Sequence, residues 1–188
     1  LTHSDSDFSF ETIAGIIKAS FDASNVTVNL TAPGPMDLAR NLVIQGNDVK
    51  VHSVNTGVPH AVVFVENADQ CMVTDLGAGV RYHDAFAPKG TNVNFVQVLA
   101  PGKIRVRTYE RGVEGETLAC GTGVTAASLV AAKVHGFKAP VEVQVQSGDY
   151  LRVSFDEEND QFSNVRLNGP ADFVFNGEIN LDQERTTC

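Results

Sequence analysis

Cysteine is scarce in this chain and never paired at short range. The three cysteines, at 71, 120 and 188, form no C-x-x-C, and an odd count at such spacings speaks against a disulfide framework. That usage fits a reducing compartment, and a cytoplasmic location is the expectation. Long apolar runs are also missing: none approaches the roughly 18 residues that a membrane span needs. No signal-peptide pattern opens the chain, and it begins at Leu1 rather than Met, so a fragment is expected. Positive charge is thin. With Lys and Arg numbering 14 against 23 Asp and Glu, the net charge is −9 and no basic cluster breaks the balance. Nucleic acid is argued against as a partner, and a membrane is not expected. A small polar or charged molecule, held by one or two local cations, remains open.

What is present is a globular composition. Hydrophobic residues make up 43% of 188, enough for a packed core in one ordinary domain or two small ones. "FSFETIAGIIKASFD" (8–22) and "NVTVNLTAP" (25–33) read as strands, and "TAPGPMD" (31–37) as a break. "NLVIQGNDVKVHSV" predicts a hairpin turning at Gly46-Asn47-Asp48, and "HAVVFV" (60–65) a short apolar strand. Residues 72–82 predict a short helix capped by Thr74 or Asp75. Residues 92–99 and 103–110 form the next hairpin, through "APGK", and 140–155 another, turning at Ser147-Gly148-Asp149. The final strands fall in 163–179, before a loose polar tail.

The informative element is the helix predicted over 121–135. Val124, Ala127, Leu129, Val130 and Val134 point in nearly every direction around its axis, so it must be buried all round. Gly136 stands where a C-terminal glycine belongs. The predicted fold is α+β: a curved, mostly antiparallel sheet wrapped around a central buried helix.

In "ETLACGTGVTAAS" (116–128), Cys120 sits directly against Gly-Thr-Gly at the mouth of that helix. Helix openings expose backbone N–H groups without partners and carry about half a unit of positive charge, which makes an anion site. Gly121 and Gly123 let an anion approach, Thr122 adds a hydroxyl, and the same field favours the thiolate of Cys120. The competing reading makes Cys120 a small buried hydrophobe and Gly-Thr-Gly a tight turn. A phosphate loop fails, since the Walker spacing and its lysine are absent.

"YERGVEGETLACGTGVTAAS" (109–128) resembles the second catalytic motif of the diaminopimelate epimerase family, cofactor-independent enzymes of lysine and peptidoglycan-precursor synthesis. "VNTGVPHAVVFV" (54–65), "GTNVNFVQV" (90–98) and "GPADFVFNGEI" (169–179) resemble further blocks in the same order. Proline racemases share Cys-Gly-Thr-Gly without this lead-in. The resemblance implies epimerisation of LL- to meso-diaminopimelate by two cysteines, one thiolate base and one thiol acid, with no cofactor and no metal. It makes Cys120 one of the pair, with Gly121 and Thr122 offering N–H groups to the substrate carboxylate. Glu110 is implied as the acid engaging the substrate ammonium and aiding catalysis, and Arg111 as the cation for a carboxylate. Asn92 is implied as a distal amide contact, and His60 as the histidine near the catalytic cysteine.

Two departures stand out. Many members of the family read Gly-Asn-Pro-His where this chain has Gly57-Val58-Pro59-His60, so one distal contact is lost or shared with Asn55. The family's other motif, Cys-Gly-Asn-Gly, is absent; Cys71 is structural or exposed, and Cys188 lies in the tail. The resemblance therefore implies residues 1–32 as a remnant of a first half-domain, 33–170 as a complete C-terminal half-domain, and 171–188 as a returning strand and tail. The missing N-terminal half becomes the expected partner, beside a small amino-acid substrate and a possible homodimer, and the chain by itself is expected to be inactive. Two other readings stay open: another two-cysteine amino-acid racemase, or a non-catalytic carboxylate-binding module.

Overall fold

In the computed structural model, which describes residues 7–12, 15–22 and 24–178, the chain forms one twelve-stranded sheet carrying two α-helices among those residues. The strands are β1 (Asp7–Thr12), β2 (Gly15–Asp22), β3 (Asn25–Asn29), β4 (Asp37–Ile44), β5 (Asn47–Asn55) and β6 (Pro59–Phe64). They continue with β7 (Asn92–Ala100), β8 (Lys103–Glu110), β9 (Gly115–Thr117), β10 (Val141–Gln144), β11 (Tyr150–Glu158) and β12 (Gln161–Pro170). Helix α1 spans Val73–Arg81 and α2 spans Gly121–His135. The sheet order is β1-β2-β3-β12-β11-β10-β8-β7-β6-β5-β4, with β9 added on β8.

All pairings are antiparallel except β6 with β7 and β8 with β10. Each parallel pair is joined through a helix, β6-α1-β7 and β8-α2-β10. Both crossovers step the same way along the sheet, yet β8 runs opposite to β6. Since such connections are right-handed, the two helices must lie on opposite faces. The side chains confirm it. Val54, Val62, Val96, Ile104 and Val106 pack with α2, whereas Ala61, Val63, Val93, Phe95 and Tyr109 pack with α1. This is the period-two alternation of strands buried on both faces.

The sheet bends around α2, which touches β5, β6, β7, β8, β10, β11 and β12. Every residue of α2 from Gly123 to Ala132 is buried, as its all-round apolar sequence requires, and Gly136 closes it at φ 71°. Opposite, α1 is held close by its glycines. A Cβ on Gly77 would sit 2.5 Å from that of Tyr109, and one on Gly79 would sit 2.7 Å from Ile44. The residues that weaken the helix locally are those that let it dock.

Some expectations need correction. The α1 N-cap is Met72, with no side-chain cap, so neither Thr74 nor Asp75 fills that role. The β4–β5 turn falls at Gln45-Gly46, one residue earlier than predicted, with Gly46 at φ 82°. Residues 171–178 form no strand, and Phe173, Val174 and Phe175 stand exposed. Ile179 and Cys188 lie outside the described residues. No helix among the described residues is long and apolar enough to cross a membrane.

Candidate active site

Register brings the site together before any side chain is considered. His60 on β6 pairs with Asn92 on β7, Val62 with Asn94, and Asn94 with Thr108 on β8. Alternation turns His60, Asn94 and Thr108 to the α2 side of the sheet, with Glu110 in step two residues beyond Thr108. They collect where the opening of α2 meets the strands. A patch of buried polar groups thus interrupts the valine face formed by Val62, Val96 and Val106.

Cys120 is the N-cap residue of α2, extended at φ −131° and ψ 106°, and its carbonyl accepts the Val124 N–H at 2.8 Å. The side chain makes no cap and is half-buried. Burial pushes the thiol above its ordinary range; the Thr122 hydroxyl and the N–H groups of Gly123 and Thr122 pull the other way, while the Glu110 charge adds to the rise. This corrects the expectation of a favoured thiolate. The helix-opening donors are present as expected, but desolvation outweighs them, so at neutral pH the sulfur keeps its proton.

His60 is 1% exposed. Its Nε2 lies 2.9 Å from the Thr122 hydroxyl, which in turn lies 3.6 Å from the Cys120 sulfur. Its Nδ1 lies 3.2 Å from the Asn94 amide nitrogen. Burial, and then the nearby Arg111 charge, depress His60 to about 4, so the ring is neutral at pH 7. Buried in this way, His60 is a residue behind the thiol rather than one that meets a ligand.

The remaining expected residues sit at the rim. Arg111 is half-buried; its N–H donates to Asn92 Oδ1 at 2.8 Å and its guanidinium to the Lys89 carbonyl at 3.1 Å. Asn92 also donates to the Pro59 carbonyl at 3.0 Å, so its amide ties β6, β7 and the start of the Arg111 loop together. Glu110, at the end of β8, is half-buried and near enough for its charge to act on Cys120. The Asn55 Oδ1 caps the Gly57 N–H at 2.9 Å, which commits it to its own turn.

The two glycines have different neighbours. A Cβ on Gly123 would collide with Asn94 Oδ1 and lie 3.3 Å from both Cys120 Sγ and His60 Cε1, so Gly123 makes room for the protein's own polar groups. A Cβ on Gly121 would meet only Leu167, at 2.9 Å. Three residues escaped the sequence reading. Asn94 and Thr108 are buried and joined at 3.0 Å, and Thr56 donates from the β5–β6 turn to the Thr122 carbonyl at 2.9 Å. A signal existed for Asn94: it follows Asn92 by two positions in a strand whose first five residues, 92–96, are all buried.

The arrangement offers a proton-carrying thiol beside the N–H groups of the helix opening, with a carboxylate and a guanidinium at its margin. Comparisons with known proteins bear on that chemistry. Residues 52–174 match the family model described as diaminopimelate epimerase. The diaminopimelate epimerase of Aquifex aeolicus (strain VF5) is 45% identical over 174 residues, covering 90% of this chain and 61% of that protein. That of Hydrogenobaculum sp. (strain Y04AAS1) is 45% identical over 181 residues, covering 94% of this chain and 63% of the relative. The chain thus spans about three-fifths of the length of these curated relatives. Among solved structures, a probable proline racemase from Agrobacterium radiobacter K84 with bound carbonate superposes with a TM-score of 0.69. It is 18% identical, and the match covers 97% of this chain and 62% of that one. A PhzF-family phenazine biosynthesis protein of Bacillus anthracis gives a TM-score of 0.66 at 14% identity, over 89% of this chain and 66% of that one. At such identities these two share the fold alone.

Proposed function

The chain belongs to the diaminopimelate epimerase family, and from that membership we propose that it carries one of two thiols in a cofactor-independent epimerisation of LL- to meso-diaminopimelate. The observation that carries the reading is the seat of Cys120, a half-buried thiol at the mouth of a buried helix beside N–H donors, with Glu110 and Arg111 at its rim.

In this reaction the bond from Cα to hydrogen breaks as a thiolate takes the proton, and the electron pair left on Cα is stabilised by its carboxylate. N–H groups at Gly121 and Thr122 hold that carboxylate, where a fixed dipole acts most strongly once water is excluded. A thiol on the opposite face then gives Cα a new proton. Because burial keeps Cys120 protonated at neutral pH, it is the donor of the resting pair and becomes the base only after giving its proton away. Glu110 takes the substrate ammonium, and Arg111 a carboxylate. Asn92 seats the backbone of Arg111 and keeps an amide hydrogen for the distal end of the substrate. His60 acts through Thr122.

The opposing thiol belongs, on this reading, to the part of the relatives' length that this chain does not span. That part would also cover Phe10, Ile16 and Phe21, which stand exposed on β1 and β2. A cytoplasmic setting keeps Cys71 and Cys120 reduced. The test is conversion of LL-diaminopimelate, followed by stereoisomer analysis and solvent deuterium incorporation. Turnover is expected from the chain mixed with the unmatched segment of the Aquifex aeolicus relative, lost on Cys120→Ser, and absent from the chain alone. Robust turnover by the chain alone would overturn the one-thiol reading.

A further inference from the structure

Behind Cys120 lies a buried amide whose every position is committed. Asn94 is fully buried on β7. Its Nδ2 is 2.9 Å from the Ala61 carbonyl, an atom that can only accept, so this end of the amide must be the NH₂. The opposite end, Oδ1, accepts from the Thr108 hydroxyl at 3.0 Å. The second hydrogen on Nδ2 then faces His60 Nδ1 at 3.2 Å. A donor there requires a lone pair on Nδ1, which leaves the single proton of a neutral ring on Nε2. That Nε2–H meets the Thr122 oxygen at 2.9 Å, so the hydroxyl accepts from the ring and turns its own hydrogen toward Cys120 Sγ, 3.6 Å away.

We propose that Asn94 is a positioning residue: it selects the Nε2–H form of His60 and thereby points every hydrogen bond from Thr108 through Asn94, His60 and Thr122 toward the sulfur of Cys120. With the opposite ring tautomer, Thr122 would donate to His60 and present a lone pair to the sulfur, which repels a thiolate. The low pKa of His60 supports the argument, since a doubly protonated ring would erase the choice. The missing Cβ of Gly123 belongs to the same device, because any side chain there would strike Asn94 Oδ1. The inference rests on the reading of Cys120 as the proton-transferring thiol, for which the charge state of the sulfur matters.

Two measurements test it, and neither uses turnover. In the histidine-¹⁵N-labelled chain near pH 7, long-range ¹H–¹⁵N spectra are expected to show the His60 proton on Nε2; a proton on Nδ1 overturns the proposal. In Asn94→Leu, which keeps the volume and removes the donor, alkylation of Cys120 by iodoacetamide at pH 8 is expected to slow about three- to tenfold. Cys71 serves as the internal reference. An unchanged Cys120 rate with an unchanged His60 spectrum in that variant also overturns it. Should the variant fail to fold, the tautomer in the unaltered chain decides. A failed tautomer test leaves the epimerase reading standing, and absent turnover leaves the tautomer result untouched.

Discussion

His60 Nε2 and Thr122 Oγ1 lie 2.9 Å apart across 62 residues of sequence, joining a strand of the sheet to the first turn of the helix it encloses. The contact buries a titratable ring, and pH will report on it. His60 falls from 6.5 in the unfolded chain to about 4 in the folded one. The unfolded state therefore binds the extra proton between those values. The contribution of His60 is fully present above pH 6.5 and is lost as pH falls toward 4, by about 3 kcal/mol in all. Urea midpoints measured from pH 7 to 4 should fall accordingly. An NMR titration placing His60 near 6.5 would refute the assignment.

The thiol is expected to behave oppositely to a pre-formed thiolate. Burial raises Cys120, so its thiolate absorbance and alkylation rate should reach half-maximum only above the ordinary thiol value of 9. Folding favours the protonated form, and stability is lost as pH rises through the unfolded value and toward the higher folded one. Thr122→Val removes the hydroxyl donor and should slow alkylation at pH 8 by roughly two- to tenfold. A midpoint below 8 in the unaltered chain would show that the helix opening outweighs desolvation after all.

Gly77→Ala gives a test of sign. In an exposed helix the change would stabilise by about 1 kcal/mol. Here the new methyl falls on the Cβ of Tyr109, at 2.5 Å, and on the buried ring behind it, Cγ at 2.6 Å and Cδ2 at 2.9 Å. A net loss of about 1–3 kcal/mol is expected in urea denaturation. A gain would mean that α1 can lift off the sheet without cost.

Gly123→Ala should lose a similar amount, about 1–3 kcal/mol, by driving Asn94 from its place. Unlike Gly77→Ala, it should also disturb the His60 ring signals, since the same methyl would press on His60 Cε1 at 3.3 Å. Loss of stability with an unshifted His60 spectrum would separate the glycine from the polar network.

Arg107 clamps the segment before α1. Its guanidinium holds Glu116 through two contacts of 2.6 Å and donates to the carbonyls of Ala68, Asp69 and Cys71. Lysine cannot reproduce that fork. Arg107→Lys should cost about 1–3 kcal/mol through polar groups left unpaired and should speed alkylation of Cys71 in the loosened loop. Unchanged stability and an unchanged Cys71 rate would make the fork ornamental.

How far the sequence carried the reading depended on whether a residue's surroundings were local. Helix α2 was legible because its apolar residues leave no polar side, and Gly136 marked its end. Cys120 was legible from its neighbours in sequence, and its surroundings at the helix opening followed. Its desolvation did not, because the walls come from β6, β7 and β8, which only pairing brings near. For the same reason Asn94 and Thr108 passed unnoticed: alternation in "NVNF" reads as one apolar and one wet face, whereas both faces are covered. The short strand β9 was missed because three residues, Gly115–Thr117, carry no periodicity of their own. The cap of α1 was misplaced because Thr74 and Asp75 are good capping residues, yet the chain enters the helix at Met72, two residues before the first of them.

The pairing of β3 with β12 has a consequence for the order in which the molecule can be made. Thr27 and Asn168 meet across 141 residues, so among the described residues β1–β3 have no sheet neighbour but one another until β12 exists. At about 5–20 residues per second, a ribosome would leave β1–β3 waiting roughly 7 to 30 s. Throughout that interval Phe10, Ile16 and Phe21 have no sheet to join, and they remain exposed even when folding is done. The growing chain thus carries these apolar side chains uncovered for that whole interval, and whatever shields them must be at hand before synthesis ends.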